Sequence, residues 1–473
     1  MQAIIFLMLF KDTRRKEMDQ IKENKMGTMP VGRLLFSMAT PMIISMLVQA
    51  LYNIVDSIFV ARLSEDALNA VGLAFSAQNL MIGIATGTGV GINALLAKSL
   101  GEKKFEDANK IAANGVMLSL VGYVIALLFG LFGAEAYYRF QTDIPEIVDA
   151  GVAYLRIVTC YSFGLYFQIT FERLMQSTGK TVFTMITQTV GAVINIILDP
   201  ILIFTCNMGV AGAAYATVIG QIFAAVLGFF LNHFYNREIR MDLKNFRPDL
   251  KTISRIYAIG IPSIIMVAIG SVMYYIMSKI LIGMNKTASA VFGVYFKLQS
   301  IVFMPIFGLS NGLIPILAYN YGAKSKKRMM HALKLSLLVA VIIMILGTLI
   351  MQVFPDPLLL LFDASENMLG IGRVALRIIS ISFIAASLDI MFSAVFQSLG
   401  NGIYSMIVSF ARQLIVLVPV AYLLSLTGKL EIVWLAFPIS ETVSLIVSII
   451  LFIIIYKRKI KEIENMKIIS DID

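Results

Sequence analysis

The chain has 473 residues, of which 58% are hydrophobic and 14% are charged, and its formal net charge at pH 7 is +10. A soluble enzyme of this composition would expose far more apolar surface than water tolerates, so that class is excluded. The positive charge does not indicate a nucleic-acid partner, because Lys and Arg collect in alternate connections between apolar segments. The composition predicts an all-α polytopic membrane protein in contact with a lipid bilayer.

The apolar segments, taken in chain order, define the predicted fold. A first run, 1–10, is too short to cross a bilayer, and charged residues follow it instead of preceding it as in a signal peptide. After the charged stretch 11–33, twelve apolar windows of about twenty residues or more predict twelve transmembrane helices. The predicted spans are 34–60, 70–98, 111–133, 150–173, 181–205, 210–232, 253–282, 289–319, 332–354, 369–395, 402–425 and 432–456.

Two six-helix lobes are predicted, because the most polar connection divides the spans equally. The predicted organisation is an N-terminal segment at 1–33, an N-lobe at 34–232, a linker at 233–252, a C-lobe at 253–456 and a tail at 457–473. Of the 39 Lys and Arg residues, 29 lie in connections on one side, a count that places Arg173 in the loop after the fourth span. The positive-inside rule makes that side cytoplasmic, together with both termini.

An internal repeat relates the two lobes at an offset of 221 residues. Pro41 matches Pro262, and the block 176–179 (QSTG) matches 397–400 (QSLG). Because each copy contains an even number of spans, both copies have the same orientation in the membrane. This predicts a pseudo-two-fold axis along the membrane normal, as in transporters that rock two bundles against each other.

The fifth span contains a carboxylate, a carboxamide and a proline in an otherwise apolar run. Asn195 and Asp199 are one helical turn apart, and Pro200 predicts a kink that frees nearby carbonyl groups. A carboxylate at this depth is costly and normally faces a bundle interior or a cavity, which indicates an ion or ligand site. The alternative is that Asp199 only anchors a neighbouring helix.

Three stretches resemble the multidrug and toxic-compound extrusion (MATE) transporters. They are the run 41–70, the glycine-rich segment that ends at 97–101 (AKSLG) and the stretch 195–200 (NIILDP), and the resemblance extends over 29–456. The loop after the first span departs from the family's usual glycines at Ala61 and Ser64.

The resemblance implies a monomeric antiporter of the bacterial cytoplasmic membrane. Such a protein exports organic, often cationic compounds in exchange for H⁺ or Na⁺, and it needs no cofactor. The residues that match the family's coupling site in the N-lobe are Asp56, Asn195, Asp199 and Thr217.

The predicted helix ends agree with this placement. Asp56, Asp199 and Thr217 each lie a few residues from the outer end of their span, at one depth of roughly 6–10 Å. Hard oxygen ligands suit Na⁺, whereas two adjacent carboxylates suit a shared proton. The residues leave the choice of ion open.

Other polar residues of the first span are candidates for the wall of a cavity. Gln49, Asn53 and Asp56 recur on one helical face, which a lipid-facing surface would not carry, and Tyr52 lies beside them. The amides can equally form hydrogen bonds with neighbouring helices, and Tyr52 is assigned to packing before ligand binding.

The predicted spans of the C-lobe contain four charged residues. These are Lys297, Asp389, Arg412 and Glu441. Opposite charges in one bundle usually pair, so a structural pair of Asp389 with Arg412 is preferred over a second coupling site. The seventh span carries no acid, which weakens a second ion site.

Three classes of function remain after these observations. The first is the drug and ion antiporter, and the second is a flippase for a lipid-linked or oligosaccharide precursor. The third, a membrane enzyme or channel, has little support, because the sequence contains no catalytic motif of the metalloprotease or hydrolase kind.

Overall fold

The computed structural model describes residues 24–240 and 246–463, and nearly all of them are helical. The predictions for the first apolar run, for part of the linker and for the end of the tail fall on 1–23, 241–245 and 464–473, outside the described residues.

The helices of the N-terminal half begin and end close to the predicted spans. They are α1 (Lys25–Thr28), α2 (Val31–Ala61), α3 (Glu65–Gly101), α4 (Phe105–Leu128), α5 (Ala134–Gln141), α6 (Pro145–Cys160), α7 (Phe163–Ser177), α8 (Thr181–Pro200) and α9 (Gly209–Tyr235). Two π-helical turns, Phe129–Gly133 and Ile201–Thr205, follow α4 and α8.

The C-terminal half has a similar series of helices. They are α10 (Leu250–Met284), α11 (Lys286–Gly322), α12 (Lys326–Val353), α13 (Pro355–Leu360), α14 (Glu366–Ser380), α15 (Phe383–Ser398), α16 (Gly402–Phe410), α17 (Val418–Ser425), α18 (Leu430–Val433) and α19 (Ala436–Ile455). Two further π-helical turns are Ala411–Leu417 and Tyr456–Ile460.

Ten of the predicted spans are long, apolar helices among the described residues, and the pair α14 and α15, bent by 47°, forms an eleventh. The predicted span 150–173 is not one straight helix, because α6 and α7 meet at a break. At both breaks a serine hydroxyl donates to the carbonyl three residues earlier, from Ser162 to Thr159 at 2.7 Å and from Ser382 to Ile379 at 2.6 Å. The matching breaks give each six-helix lobe one bent span, so the two lobes repeat one architecture of twelve spans.

The lobes meet at one end of the molecule. We call the end that carries Lys98, Lys180, Arg255 and Lys326 the basic end, and the opposite end the far end. The half of α3 nearest the basic end packs on α10, and the matching half of α2 packs on α11.

Glycines make these contacts between the lobes possible. A Cβ on Gly87 would lie 2.9 Å from the carbonyl oxygen of Gly260, and a Cβ on Gly312 would lie 2.8 Å from the Cα of Ala39. Gly101 faces the Tyr319 carbonyl in the same way. Backbones approach so closely only where a side chain is missing, as in other membrane helix pairs. The lobes are therefore closed against each other at the basic end.

The apolar core is distributed unequally between the lobes. One large cluster fills the C-lobe and the contact between the lobes, whereas the rest of the N-lobe contains two smaller clusters. One of these, around Tyr138 and Val158, lies toward the far end. The other, around Leu165 and Ile169, borders a cavity. The N-lobe is thus the lobe with internal space for a ligand.

Candidate functional site

The cavity lies inside the N-lobe, between α2, α3, α7, α8 and α9. Its empty volume is about 890 Å³, including its open mouth. Apolar wall residues such as Met42, Met46 and Ile82 alternate with carboxamides such as Gln49 and Gln168. Small-molecule sites generally combine an apolar wall with a few placed polar groups, and this cavity has that character.

Two carboxylates from different helices lie beside the cavity toward the far end. Asp56 comes from α2 and Asp199 from the end of α8, and their charges interact electrostatically. Asp199 is completely buried. Within the described part of the chain, neither oxygen of Asp199 has a hydrogen-bond partner, and the same holds for Oδ1 of Asp56 and Oδ1 of Asn195. Buried oxygens without donors suit a site that receives a cation or a proton.

Asn195 and Thr217 connect this acid pair to the cavity. The Asn195 Nδ2 donates to the Thr217 Oγ1 at 3.3 Å, and both residues line the wall. Tyr52 also lines the wall and lies close to both acids. The structure therefore brings the four predicted coupling residues together, next to a space that can hold a ligand.

The chain beyond Pro200 follows a wider helical path. Where a kink was predicted, the π-helical turn Ile201–Thr205 begins, and the Cys206 amide donates to the carbonyl five residues earlier, that of Ile201, at 2.8 Å. Such turns recur at functional sites in other proteins, and this one directly follows Asp199.

Na⁺ prefers hard oxygen ligands, and the acid pair, the Asn195 amide and the Thr217 hydroxyl supply them. The two carboxylates can alternatively share a proton. Among the described residues, no group of three or more His, Cys, Asp or Glu side chains could hold a metal ion. This set of residues contains no Cys or His, the ligands that structural zinc sites use.

A third acid lies in the cavity wall at the side nearer the basic end. Glu172 of α7 is 3% exposed, and its carboxylate accepts hydrogen bonds from Gln168 at 3.0 Å, Thr187 at 3.3 Å and Gln188 at 3.0 Å. All three donors are neutral. These donors therefore fix the carboxylate, which faces the cavity and interacts electrostatically with the adjacent Arg173.

Arg173, beside Glu172, is also buried, which corrects its placement in a loop. Its Nη1 donates to Gln176 at 2.8 Å and, across the lobes, to Asn311 of α11 at 3.0 Å. Sequence reasoning did not single out Glu172. The available signal was a carboxylate inside the fourth predicted span, next to an arginine that could reduce the cost of burial.

The remaining predicted residues of α2 differ in position. Gln49 lies in the cavity wall with Tyr52, although Tyr52 was assigned to packing. Asn53 is exposed and lies outside the wall. The helical face predicted from Gln49, Asn53 and Asp56 is thus only partly directed into the cavity.

Of the four charged residues predicted to be buried in the C-lobe, Asp389 is buried, Arg412 and Glu441 are half-buried and Lys297 is exposed. Arg412 Nη1 donates to Glu441 Oε1 at 3.1 Å, whereas Asp389 accepts a hydrogen bond from Ser444. The direct ion pair of Arg412 is thus with Glu441, and Asp389 interacts with Arg412 only at longer range. The ammonium group of Lys297 lies 5.7 Å from the centre of the Phe362 ring, in a cation–π contact.

The fold and this cavity define the class of the protein. Ten long apolar helices and one bent pair in the described part of the chain, with a polar cavity inside one lobe, are the architecture of a multi-span membrane transporter for small molecules and not of an enzyme. The MatE family model matches the chain twice, at residues 41–201 and 262–423. The two matches begin 221 residues apart, which confirms the repeat. The chain belongs to the MatE family.

Individual relatives are similar over most of the chain. The multidrug export protein MepA of Staphylococcus saprophyticus is 25% identical over 90% of this chain and 94% of its own length. A protein of Shewanella oneidensis named FAD transporter is 25% identical, over 87% of this chain and 92% of its own.

Solved structures have the same fold. One is described as the outward-facing conformation of a multidrug resistance MATE family transporter, with a TM-score of 0.88 and 25% identity over 94% of this chain and 99% of that one. A Pyrococcus furiosus transporter, described as having a binding pocket of reverse polarity, has a TM-score of 0.87 and 26% identity over the same shares of the two chains. The predicted family and fold class are confirmed.

Proposed function

We propose that this transporter exports organic, often cationic compounds in exchange for H⁺ or Na⁺. In this proposal it acts as a monomer in the bacterial cytoplasmic membrane, with its basic end and both termini in the cytoplasm. The coupling site consists of Asp56, Asn195, Asp199 and Thr217, and no cofactor takes part.

The observation that carries the proposal is the buried acid pair beside the cavity. Three carboxylates, those of Asp56, Glu172 and Asp199, lie in or next to the cavity, against the one guanidinium, that of Arg173, which the described residues place in its wall. When the acids are ionised, this excess of negative charge favours a cation over an anion in a site of low dielectric constant. The apolar wall accommodates the organic part of such a compound.

Exchange follows if the compound and the coupling ion compensate the same negative charge. An H⁺ or Na⁺ bound between Asp56 and Asp199 neutralises part of the field that holds the organic cation, so each weakens binding of the other. A gradient of the ion then drives release of the compound at the far end. This competition supplies the differential affinity that a coupled transporter requires.

The names of the relatives support this proposal, with one alternative for the substrate. MepA is named a multidrug export protein, and its similarity to this chain covers nearly its whole length. The flippase alternative receives no such support among the relatives described above. The relative named FAD transporter introduces a flavin nucleotide as a competing substrate, for which the Arg173 guanidinium is the complementary group.

Transport in proteoliposomes tests the function and its ion. We expect export of a fluorescent organic cation to be driven by a proton gradient or by a Na⁺ gradient, and FAD to be a poor competitor. Glu172→Gln should reduce transport of the cation about tenfold or more, the effect of losing one charge-assisted contact of about 1.4 kcal/mol or more. The exposed Glu146→Gln serves as the matched control. Transport that needs neither gradient, or that prefers FAD, would contradict the proposal.

A further inference from the structure

Residues 24–29 cross the basic end of the molecule and contact both lobes. This segment, which we call the strap, contains the short helix α1 and precedes α2. Its Met26 side chain is completely buried and belongs to the large apolar cluster at the contact between the lobes. The strap is thus packed as part of the closed basic end.

Asn24 attaches the strap to the N-lobe. Its Nδ2 donates to the Thr178 carbonyl at 3.1 Å and to Glu238 Oε2 at 2.6 Å. Glu238 in turn lies 3.7 Å from the ammonium group of Lys180. Burial raises the pKa of the Glu238 carboxyl, and Lys180 and Asn24 oppose that shift. These partners belong to the connections that follow α7 and α9.

Arg328 and Asn320 attach the strap to the C-lobe. Arg328 Nη2 donates to the carbonyl groups of Met26 at 3.1 Å and Met29 at 2.6 Å, and Asn320 Nδ2 donates to the Met26 carbonyl at 3.1 Å. Arg328 Nε also donates to Asn320 Oδ1 at 3.2 Å. In addition, a Cβ on Gly27 would lie 3.2 Å from the Tyr319 ring. One guanidinium therefore holds two strap carbonyls at the start of α12.

We propose that the strap is an inter-lobe latch that stabilises the conformation closed at the basic end, and that Arg328 is its principal positioning residue. The two sets of hydrogen bonds connect different lobes through six consecutive residues. If the basic end opens, Thr178 and Glu238 move away from Asn320 and Arg328, and a short strap cannot follow both. At least one attachment must break before the cavity can open toward the basic end.

The latch explains why hydrogen-bonding groups of both lobes are directed at a segment outside the twelve spans. An arginine held by neutral carbonyl groups can release them and be hydrated at the membrane surface, so the attachment is reversible. The inference uses the alternating access of the proposed function. Its readout is a distance, however, and does not depend on which compound or ion is transported.

Spin labels at the basic end test the latch. We place one label in each lobe, at the exposed positions Lys110 and Lys334, after replacing both native cysteines by serine. Distances between the labels are measured by double electron–electron resonance in lipid nanodiscs. Arg328→Ala should raise the ratio of the open to the closed population about tenfold, which corresponds to about 1.4 kcal/mol.

Two further variants make the test specific. Asn24→Ala removes the attachment to the opposite lobe and should shift the populations in the same direction, which keeps the proposal testable if Arg328→Ala does not fold. Lys327→Ala, next to Arg328 and exposed, should leave the distribution unchanged. Unchanged distances in folded Arg328→Ala or Asn24→Ala would overturn the latch. A shift would support it even if the transport assay contradicted the proposed function.

Discussion

Asp199→Asn separates the coupling role of the acid pair from a role in packing. The change keeps the size of the side chain but removes its charge. Asp199 is completely buried, and neither of its carboxylate oxygens has a donor among the described residues. Burying a charged carboxylate without a partner costs several kcal/mol, whereas an unsatisfied amide costs about 1–3 kcal/mol. In Na⁺-free medium at alkaline pH, the variant should therefore be at least as stable as the wild type.

The stabilisation of the folded protein by a bound coupling ion gives the size of the expected effect. A coupling ion at about 100 times its Kd should stabilise the wild type by about 2.7 kcal/mol, and Asp199→Asn should lack this increment. The assay is thermal unfolding of the detergent-solubilised protein, with titration of Na⁺ and of pH, together with drug resistance of cells that express each form. The exposed Asp149→Asn is the matched control. We expect the buried variant to be folded, insensitive to the ion and inactive in export.

Two results would refute this reasoning. Wild-type drug resistance in cells carrying Asp199→Asn would show that coupling does not need this carboxylate. A variant that is unfolded, or destabilised by several kcal/mol under all conditions, would instead show that Asp199 anchors a neighbouring helix.

Three more predictions address the rest of the structure. Gly101→Ala should favour the conformation open at the basic end, because its Cβ would collide with a backbone carbonyl at a typical overpacking cost of about 1–3 kcal/mol. Labelling of cysteines introduced at Lys110 and Lys334 measures the opening. Gly72→Ala, with open space around its Cβ, should have no effect. Glu441→Gln should lower the thermal stability by up to about 3 kcal/mol, because it leaves Arg412 without its charge partner in a partly exposed pair. Asp356→Asn, which breaks an exposed pair, should not change the melting temperature. The distance between the far ends of α2 and α10 should change with pH or Na⁺ in the wild type and stay constant in Asp56→Asn. A constant distance in a wild type that still transports would mean that the ion acts through rigid rocking of the lobes.

The spans, the repeat and the acid pair could be predicted because each depends on local sequence. A long apolar window determines a span whatever its neighbours are, and a constant rise per residue places Asp56, Asp199 and Thr217 at a common depth. The break between α6 and α7 could not be predicted in the same way. It depends on Ser162, whose hydroxyl bonds to a backbone carbonyl, and serine is also common in unbroken helices.

The charge partners could not be predicted because they depend on helix rotation. Arg412 lies in the π-helical turn Ala411–Leu417, and the extra residue in such a turn shifts every side chain away from the face that α-helical periodicity predicts. Arg412 therefore forms its direct ion pair with Glu441. Arg173 was assigned to a loop because it lies at the end of an apolar run, and only the packing of α7 between other helices shows that it is buried.

The half-buried Glu441 of the C-lobe and the buried Asp199 of the N-lobe are compensated differently, and this difference favours Asp199 as a coupling residue. In the C-lobe, Glu441 is paired with Arg412, a cation that belongs to the chain and cannot leave. In the N-lobe, the oxygens of Asp199 have no partner among the described residues, so a compensating charge must come from solution. Only an exchangeable ion can transmit the free energy of an ion gradient, since a charge fixed to the chain does not pass from one solution to the other. The acid pair of Asp56 and Asp199, which has no cation of the chain among its described partners, is therefore the site that can use an external one.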